Sequence, residues 1–332
     1  MSNPIKYSTG SETLALKKGN FYIGTGDVDK GPTSSTGYYN GISPPSSGYT
    51  IYLNKETGGP SIYTASNDAQ LISLTNSIAG QSYTTVQECL VYYAGQNDKV
   101  CLNRDYEGIV TDGLVFNVDA GFTPSYPKSG TTWYDVVGTK NITLLNSPTY
   151  NSSNGGSMDF DGSNDYSTSS STTITSDQTF CVWAVREGGT PPLVHGIFTQ
   201  HAAVFQQGNI GINVSRTNQL SASIAYTDNS REYIDKTTTY VTQQNVIFHV
   251  CLVYSSSTNS ILWYVNGSFD RTYSLTKTPK FINYPICIGR WDASWSNYYF
   301  NGKIYTGQIY NKSLSAAEIL QNYNAQKGRF GL

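Results

Sequence analysis

The spacing of apolar positions changes character near residue 110. Before that point, TVQECLVYYAG repeats Val86, Cys89, Leu90 and Tyr93 at one-face spacing, which predicts a helix with Thr85 and Glu88 as capping box and Gly95 as stop. SNDAQLISLTNSIAG does the same with Leu71, Leu74 and Ile78, capped by Ser66 or Asn67 and ended by Gly80. The β-branched and aromatic runs YTIYL and SIYTA read as strands. Residues 1–112 are therefore expected to form a small α+β domain, interrupted by GPTSSTGYYNGISPPSSG, a Pro/Gly/Ser-rich surface loop.

From GLVFNVDAG at Gly113 onward the pattern is strand after strand. TFCVWAV sets Phe180, Val182 and Ala184 against Cys181, Trp183 and Val185, and NVIFHVCLVY is apolar on both faces, as a central sandwich strand is. ILWYVNGSFDRTYSL carries a hairpin signal, Asn266-Gly267 between two strand-like runs. The closing NKSLSAAEILQNYNAQKG predicts a short helix, with a capping box at Ser315 and Glu318 and an apolar stripe of Ile319, Leu320 and Tyr323. Residues 113–332 thus predict a large antiparallel sandwich, and the whole chain is mainly β.

Composition narrows the partners. Charged residues are 13% of the chain, with Lys+Arg 21 against Asp+Glu 23, so no basic field exists to hold phosphates and nucleic acid is not an expected partner. No segment approaches a membrane-spanning length and the first residues show no export signal, so no membrane partner is expected. Cys89, Cys101, Cys181, Cys251 and Cys287 are odd in number and widely spread, which predicts five reduced thiols, no disulfide and no metal or other cofactor. Few charges beside Tyr 27 suggest a surface built for contact, with many exposed tyrosines, and hence a homo-oligomer.

Several motifs fall in the order of one known family. SMDFDGSNDYS resembles the Phe-Asp-Gly strand end of concanavalin A-like, laminin-G-type jelly rolls, FHVCLVY their central strand, LWYVNGS their Asn-Gly hairpin, and FNGKIYTGQIYNKSLSAAEI their closing strand and helix. The opening GLVFNVDAGFTPSYPKSGTTWYDVVG resembles the version found in virion proteins of tailed bacteriophages, where Trp-Tyr-Asp follows a Pro/Gly-rich loop. The resemblance covers residues 113–332 and implies a jelly roll. The segments GPTSSTGYYNG and GGPSIYT look like those preceding such jelly rolls in phages of aquatic bacteria. Tyr305, Thr306 and Gly307 stand where many members place an acidic residue, so a cation or ligand role tied to that acid is not expected to carry over.

Asp159, Asp161 and Asp165 pose the main chemical question. Glycanases of this fold carry carboxylates two and then three residues apart on one strand, and here that register reads Asp159, Asp161, Asn164. An amide shuttles no proton, so the dyad is incomplete and no catalytic residue is expected. Asp161, Asn164 and Asp165 offer oxygen ligands to a calcium ion, as in some laminin-G-type domains. The helix-loop-helix calcium pattern is excluded, because counting from Asp159 puts Gly162 fourth and Ser170 twelfth. The preferred reading is a turn, with Met158 and Phe160 inward and the aspartates bonding backbone. His249, inside an apolar strand, reads as a satisfied core histidine.

Ligand binding is expected instead at GRWDASWSNYYFNG, where Arg290, Trp291, Asp292, Trp295, Tyr298 and Tyr299 crowd one loop. Indole and phenol faces stack on sugars, and Arg and Asp fix hydroxyls, while the same residue types also make protein interfaces. The sequence therefore leads to a non-enzymatic virion structural protein, assembled in the host cytoplasm and released by lysis. Its partners are other virion proteins, its own copies and a host surface glycan. A carbohydrate-binding adhesin module is the alternative, and a glycan hydrolase of the same fold the third reading.

Overall fold

The computed structural model describes residues 5–9, 12–16, 21–25, 49–53, 61–94, 99–103, 109–110, 112–122, 125–137, 139–172, 177–190, 194–200, 210–234, 241–291 and 298–327, with 330 and 332. The chain divides into two compact units, Met1–Thr111 with Gln321–Leu332, and Asp112–Leu320. The loop expected over residues 31–48 lies outside the described residues.

The first unit holds a six-stranded antiparallel sheet of Ile5–Thr9 (β1), Glu12–Leu16 (β2), Phe21–Thr25 (β3), Lys99–Asn103 (β6), Tyr49–Leu53 (β4) and Ser61–Ala65 (β5), in that spatial order. Two helices accompany it, Asp68–Ala79 (α1) and Val86–Ala94 (α2). Asn67 is the α1 cap, its Oδ1 accepting the Gln70 N–H at 3.0 Å, and Gly80 ends the helix in the left-handed conformation. The α2 capping box closes both ways: Glu88 Oε2 accepts the Thr85 N–H at 3.0 Å, and Thr85 Oγ1 accepts the Glu88 N–H at 3.2 Å. Leu71, Cys89 and Tyr93 bury their stripe against Tyr49, Ile51 and Ala65.

The second unit is a sandwich of two eight-stranded antiparallel sheets. The first runs Thr149–Asn151 (β10), Ser157–Asp161 (β11), Asn301–Tyr310 (β22), Gln178–Arg186 (β13), Ile247–Ser255 (β18), Ser260–Val265 (β19) and Ser268–Ser274 (β20), with Leu114–Asp119 (β7) also paired to β22. The second runs Arg231–Ile234 (β17), Leu220–Ala225 (β16), Gly211–Val214 (β15), His195–Thr199 (β14), Tyr284–Ile288 (β21), Tyr166–Thr172 (β12), Ile142–Leu145 (β9) and Thr132–Trp133 (β8). One core fills the gap, with Phe116, Phe160, Phe180, Val182, Phe198, Phe248, Trp263 and Ile288 among its members. The continuous apolar runs of β13 and β18 are the central strands, and β13 is buried along its whole length. At the β19–β20 hairpin Asn266 and Gly267 take φ of 50° and 78°, the left-handed pair that a two-residue turn needs. The final helix, Ala316–Lys327 (α3), has its predicted box: Glu318 Oε2 accepts the Ser315 N–H at 2.8 Å and Ser315 Oγ accepts the Glu318 N–H at 3.3 Å.

Three expectations need correction. Leu320 is 46% exposed, and the buried positions of α3 are instead Ile319, Asn322 and Ala325, which recur at three-residue spacing. Among tyrosines with described side chains only Tyr63 and Tyr134 are strongly exposed. The others turn inward because a phenol buries its ring while its hydroxyl finds a partner, as Tyr93 does with Thr75 and Tyr126 with the Gly130 carbonyl. Cys181 and Cys251 form a disulfide. Antiparallel pairing of β13 with β18 sets them directly opposite each other on one face, although 70 positions separate them in sequence. Cys89 and Cys287 are buried and take part in no disulfide.

Candidate functional site

The aspartate stretch forms the end of β11 and the turn after it. Met158 and Phe160 are buried in the core, and Gly162 turns the chain with φ of 74°. Asp161 Oδ1 accepts the N–H groups of Ser163, Asn164 and Asp165 at 2.8, 3.1 and 3.3 Å. Burial pushes the Asp161 carboxyl up, but these three amides together hold it below its ordinary value. Asp165 is 5% exposed and returns the bond, its Oδ2 accepting the Asp161 N–H at 3.2 Å. Burial raises its carboxyl. Both aspartates are thus tied into their own turn.

Asp159 has a different setting, which local sequence did not show. It lies opposite Lys303 on β22, whose Nζ stands 3.5 Å from Asp159 and also pairs with Glu187. Burial and the Glu187 carboxylate lift Asp159 above its ordinary value against the pull of Lys303. Glu187 follows the end of β13, and the Glu187 and Gly188 N–H groups both donate to the Asn301 carbonyl, which brings this loop beside the aspartate turn.

Between the turn and the loop opens a cleft of about 190 Å³ lined by Gly162, Arg186, Gly188, His195, Phe300 and Asn301, among others. Arg186 is spent on its wall: Nε donates to Thr242 Oγ1 at 3.0 Å, Nη2 to the Thr242 carbonyl at 2.7 Å, and Nη1 to the Gly188 and Gly189 carbonyls. His195 is held at about 4 by burial, so it faces the cleft as a neutral imidazole.

Among the described residues, the predicted aromatic cluster does not line this cleft; Tyr298 and Tyr299 directly precede its lining residues Phe300 and Asn301 in the chain. Arg290 and Trp291 are each only 5% exposed, and Tyr298 and Tyr299 are half-buried. Asp292 and Trp295 lie outside the described residues. The Arg290 guanidinium lies 4.6 Å from the Tyr166 ring centroid and 5.0 Å from that of Tyr299, over two rings that neighbour each other with centroids 6.2 Å apart. Trp291 packs on Tyr298 with centroids 5.0 Å apart. Arg290 and Trp291 were expected at the surface. They are drawn in because Thr199 Oγ1 donates to both their carbonyls at 3.0 Å and Gly196 lets their backbone come close. A Cβ on Gly196 would stand 2.3 Å from the Arg290 carbonyl carbon. Tyr166, on the neighbouring strand β12, is the member that sequence reasoning missed, because the loop alone gives no register to bring it in.

The TWYD segment is structural. Trp133 is fully buried, and Asp135 accepts the N–H groups of Asn117, Val137 and Lys140 at 3.0, 3.1 and 3.1 Å. His249 is fully buried, its ring 4.9 Å from that of Trp183, and burial holds it at about 3.

Residues 161–320 match the sequence profile of the concanavalin A-like lectin/glucanases superfamily and form a jelly-roll domain of that type. The binding domain of botulinum neurotoxin serotype D is similar in structure, with a TM-score of 0.51 at 12% identity over 65% of this chain and 51% of that one. So is the Trypanosoma rangeli sialidase, with a TM-score of 0.50 at 13% identity over 66% of this chain and 33% of that one. The binding domain of Paraclostridial Mosquitocidal Protein 1 gives 0.50 at 14% identity over 64% of this chain and 52% of that one. The chain therefore spans about half or less of each of these structures, and the likeness is one of fold. No curated protein matches its sequence.

Proposed function

We propose that the chain is a non-enzymatic binding and structural protein, a component of a tailed-phage particle whose jelly roll makes protein contacts or attaches to a host surface glycan. The observation that carries the binding reading is the cluster of Tyr166, Tyr299 and Arg290, whose guanidinium lies over both rings. It offers the half-buried rings of Tyr166 and Tyr299, held in place by a buried cation, the chemistry that receives a sugar or an aromatic-rich protein edge. The non-enzymatic reading is supported by the aspartates. Asp161 and Asp165 serve their own turn and Asp159 is ion-paired, so among the described residues none of these three aspartates is left free to act as acid or nucleophile. The particle reading is supported by the resemblance of the opening TWYD segment to virion proteins. A receptor-binding use of this fold has a counterpart in the receptor binding domain of botulinum neurotoxin D.

The test is a Tyr299→Ala variant, which removes one of the two rings under Arg290. It is expected to fold and to lose about tenfold in binding to host cells or their isolated surface glycan, the scale of one cation–π or stacking contact. Loss of incorporation into particles without loss of cell binding assigns the stack to assembly. Sugar release by the wild-type chain would replace the reading with a hydrolase, and unchanged binding and incorporation would remove the stack from function.

A further inference from the structure

The first sheet of the sandwich carries a second cluster, unrelated to the aromatic stack. Phe180, Val182, Val250 and Leu252 turn to the core, so the alternation of β13 and β18 places Cys181, Trp183, His249 and Cys251 on the opposite face. Cys181 is flanked across the strands by Cys251 on β18 and Gln308 on β22, and Trp183 by His249 and Thr306. All six are at most 1% exposed. The ligand atoms of Cys181, His249 and Cys251 lie within 4.8 Å of one another, and His249 Nε2 is 3.6 Å from Cys251 Sγ. Neither polar atom of the Gln308 side chain, nor Thr306 Oγ1, has a hydrogen-bond partner among the described residues. Buried polar groups left this way are costly, and the Gln308 carboxamide stands on the strand next to Cys181.

We propose that this cluster is a redox-gated metal site: once a dithiol has reduced the Cys181–Cys251 bond, Cys181, Cys251 and His249 bind one zinc ion, with the Gln308 carbonyl oxygen as fourth ligand. The donor set is soft sulfur and nitrogen, which selects zinc over calcium or magnesium. The spacing fits, since tetrahedral zinc holds a thiolate sulfur and an imidazole nitrogen about 3.5 Å apart, and two sulfurs about 3.8 Å apart. The first separation is already 3.6 Å. The second follows from side-chain rotation once the bond is broken, with the strands staying paired. The steps balance. The dithiol gives two electrons and two protons to the bonded sulfurs and becomes a cyclic disulfide, leaving two cysteine thiols. Zinc then displaces both thiol protons to water and takes the two thiolates and the neutral imidazole. Disulfide and metal use the same two sulfurs, so each state excludes the other.

The full chain, refolded under dithiol and dialysed against zinc, is expected to retain about one zinc per chain by elemental analysis. Chain oxidised before exposure is expected to retain none. Cobalt in place of zinc should give the thiolate-to-cobalt charge-transfer absorption, which reads the ligands without any substitution. Cys251→Ser and His249→Gln should abolish the charge-transfer band or weaken metal retention at least tenfold, whereas replacing Cys89, Cys101 and Cys287 together by alanine should leave both intact. Should the Cys251→Ser chain fail to fold, the cobalt spectrum of the wild-type chain decides alone. No metal on the reduced chain, a spectrum without sulfur, or metal retained by the oxidised chain would each overturn the site.

Discussion

At Gly196 the absence of one carbon decides how the aromatic stack is built. Its backbone passes against the Arg290–Trp291 peptide, and a methyl there would lie 2.3 Å from both Arg290 C and Trp291 N, atoms that do not swing aside. Gly196→Ala is expected to destabilise the jelly roll by about 3 kcal/mol and to shift Arg290 from its place over the Tyr166 and Tyr299 rings. A denaturant midpoint within error of wild type would contradict this. Two histidines set a pH dependence through desolvation alone. Burial holds His195 at about 4 and His249 at about 3, below their ordinary value of 6.5, so the folded chain keeps them neutral. As pH falls below about 6.5 the unfolded chain takes up these protons first. Stability is fully present above that point and is lost progressively as pH falls toward 4 and then 3. Denaturant midpoints should fall between pH 6.5 and 4, and neither imidazole should titrate by NMR above pH about 5.

At the scale of elements, the legible parts were those whose signal is local. Capping boxes at Thr85–Glu88 and Ser315–Glu318, the Asn67 cap and the Asn266-Gly267 turn each need only a few adjacent residues, and all have the expected geometry. What stayed hidden depends on register between distant strands. Neither the Cys181–Cys251 bond, nor Tyr166 against Arg290, nor Lys303 between Asp159 and Glu187 can be read from one segment, because each needs two or three strands aligned. The hairpin shows the link between the two levels. Asn266 Oδ1 accepts the His249 N–H at 2.9 Å and the Asn266 N–H donates to the His249 carbonyl at 2.8 Å, so a local turn also fixes the register of β18 with β19. Asn266→Ala loses the side-chain bond and places alanine at φ of 50°. A loss of about 1–2 kcal/mol is expected by chemical denaturation, and a change below a few tenths would mean that the register is held elsewhere.

At the scale of the molecule, the last turns of the chain belong with its beginning. Gln321–Leu332 group with Met1–Thr111 as one compact unit, and Asp112–Leu320 as the other. The physical tie is Asn322, fully buried on α3, whose Oδ1 accepts the N–H of the buried Val110 at 2.7 Å. A buried amide that loses its acceptor costs about 1–3 kcal/mol, so Asn322→Ala should weaken the N-terminal unit by that amount. The jelly roll keeps its own core and the Ile319 anchor, so its transition should stay in place. Calorimetry of the variant should then show one unfolding transition moved down and one unmoved. If both move together, the two units unfold as a single cooperative block. If neither moves, the Asn322–Val110 bond is replaced by water without cost.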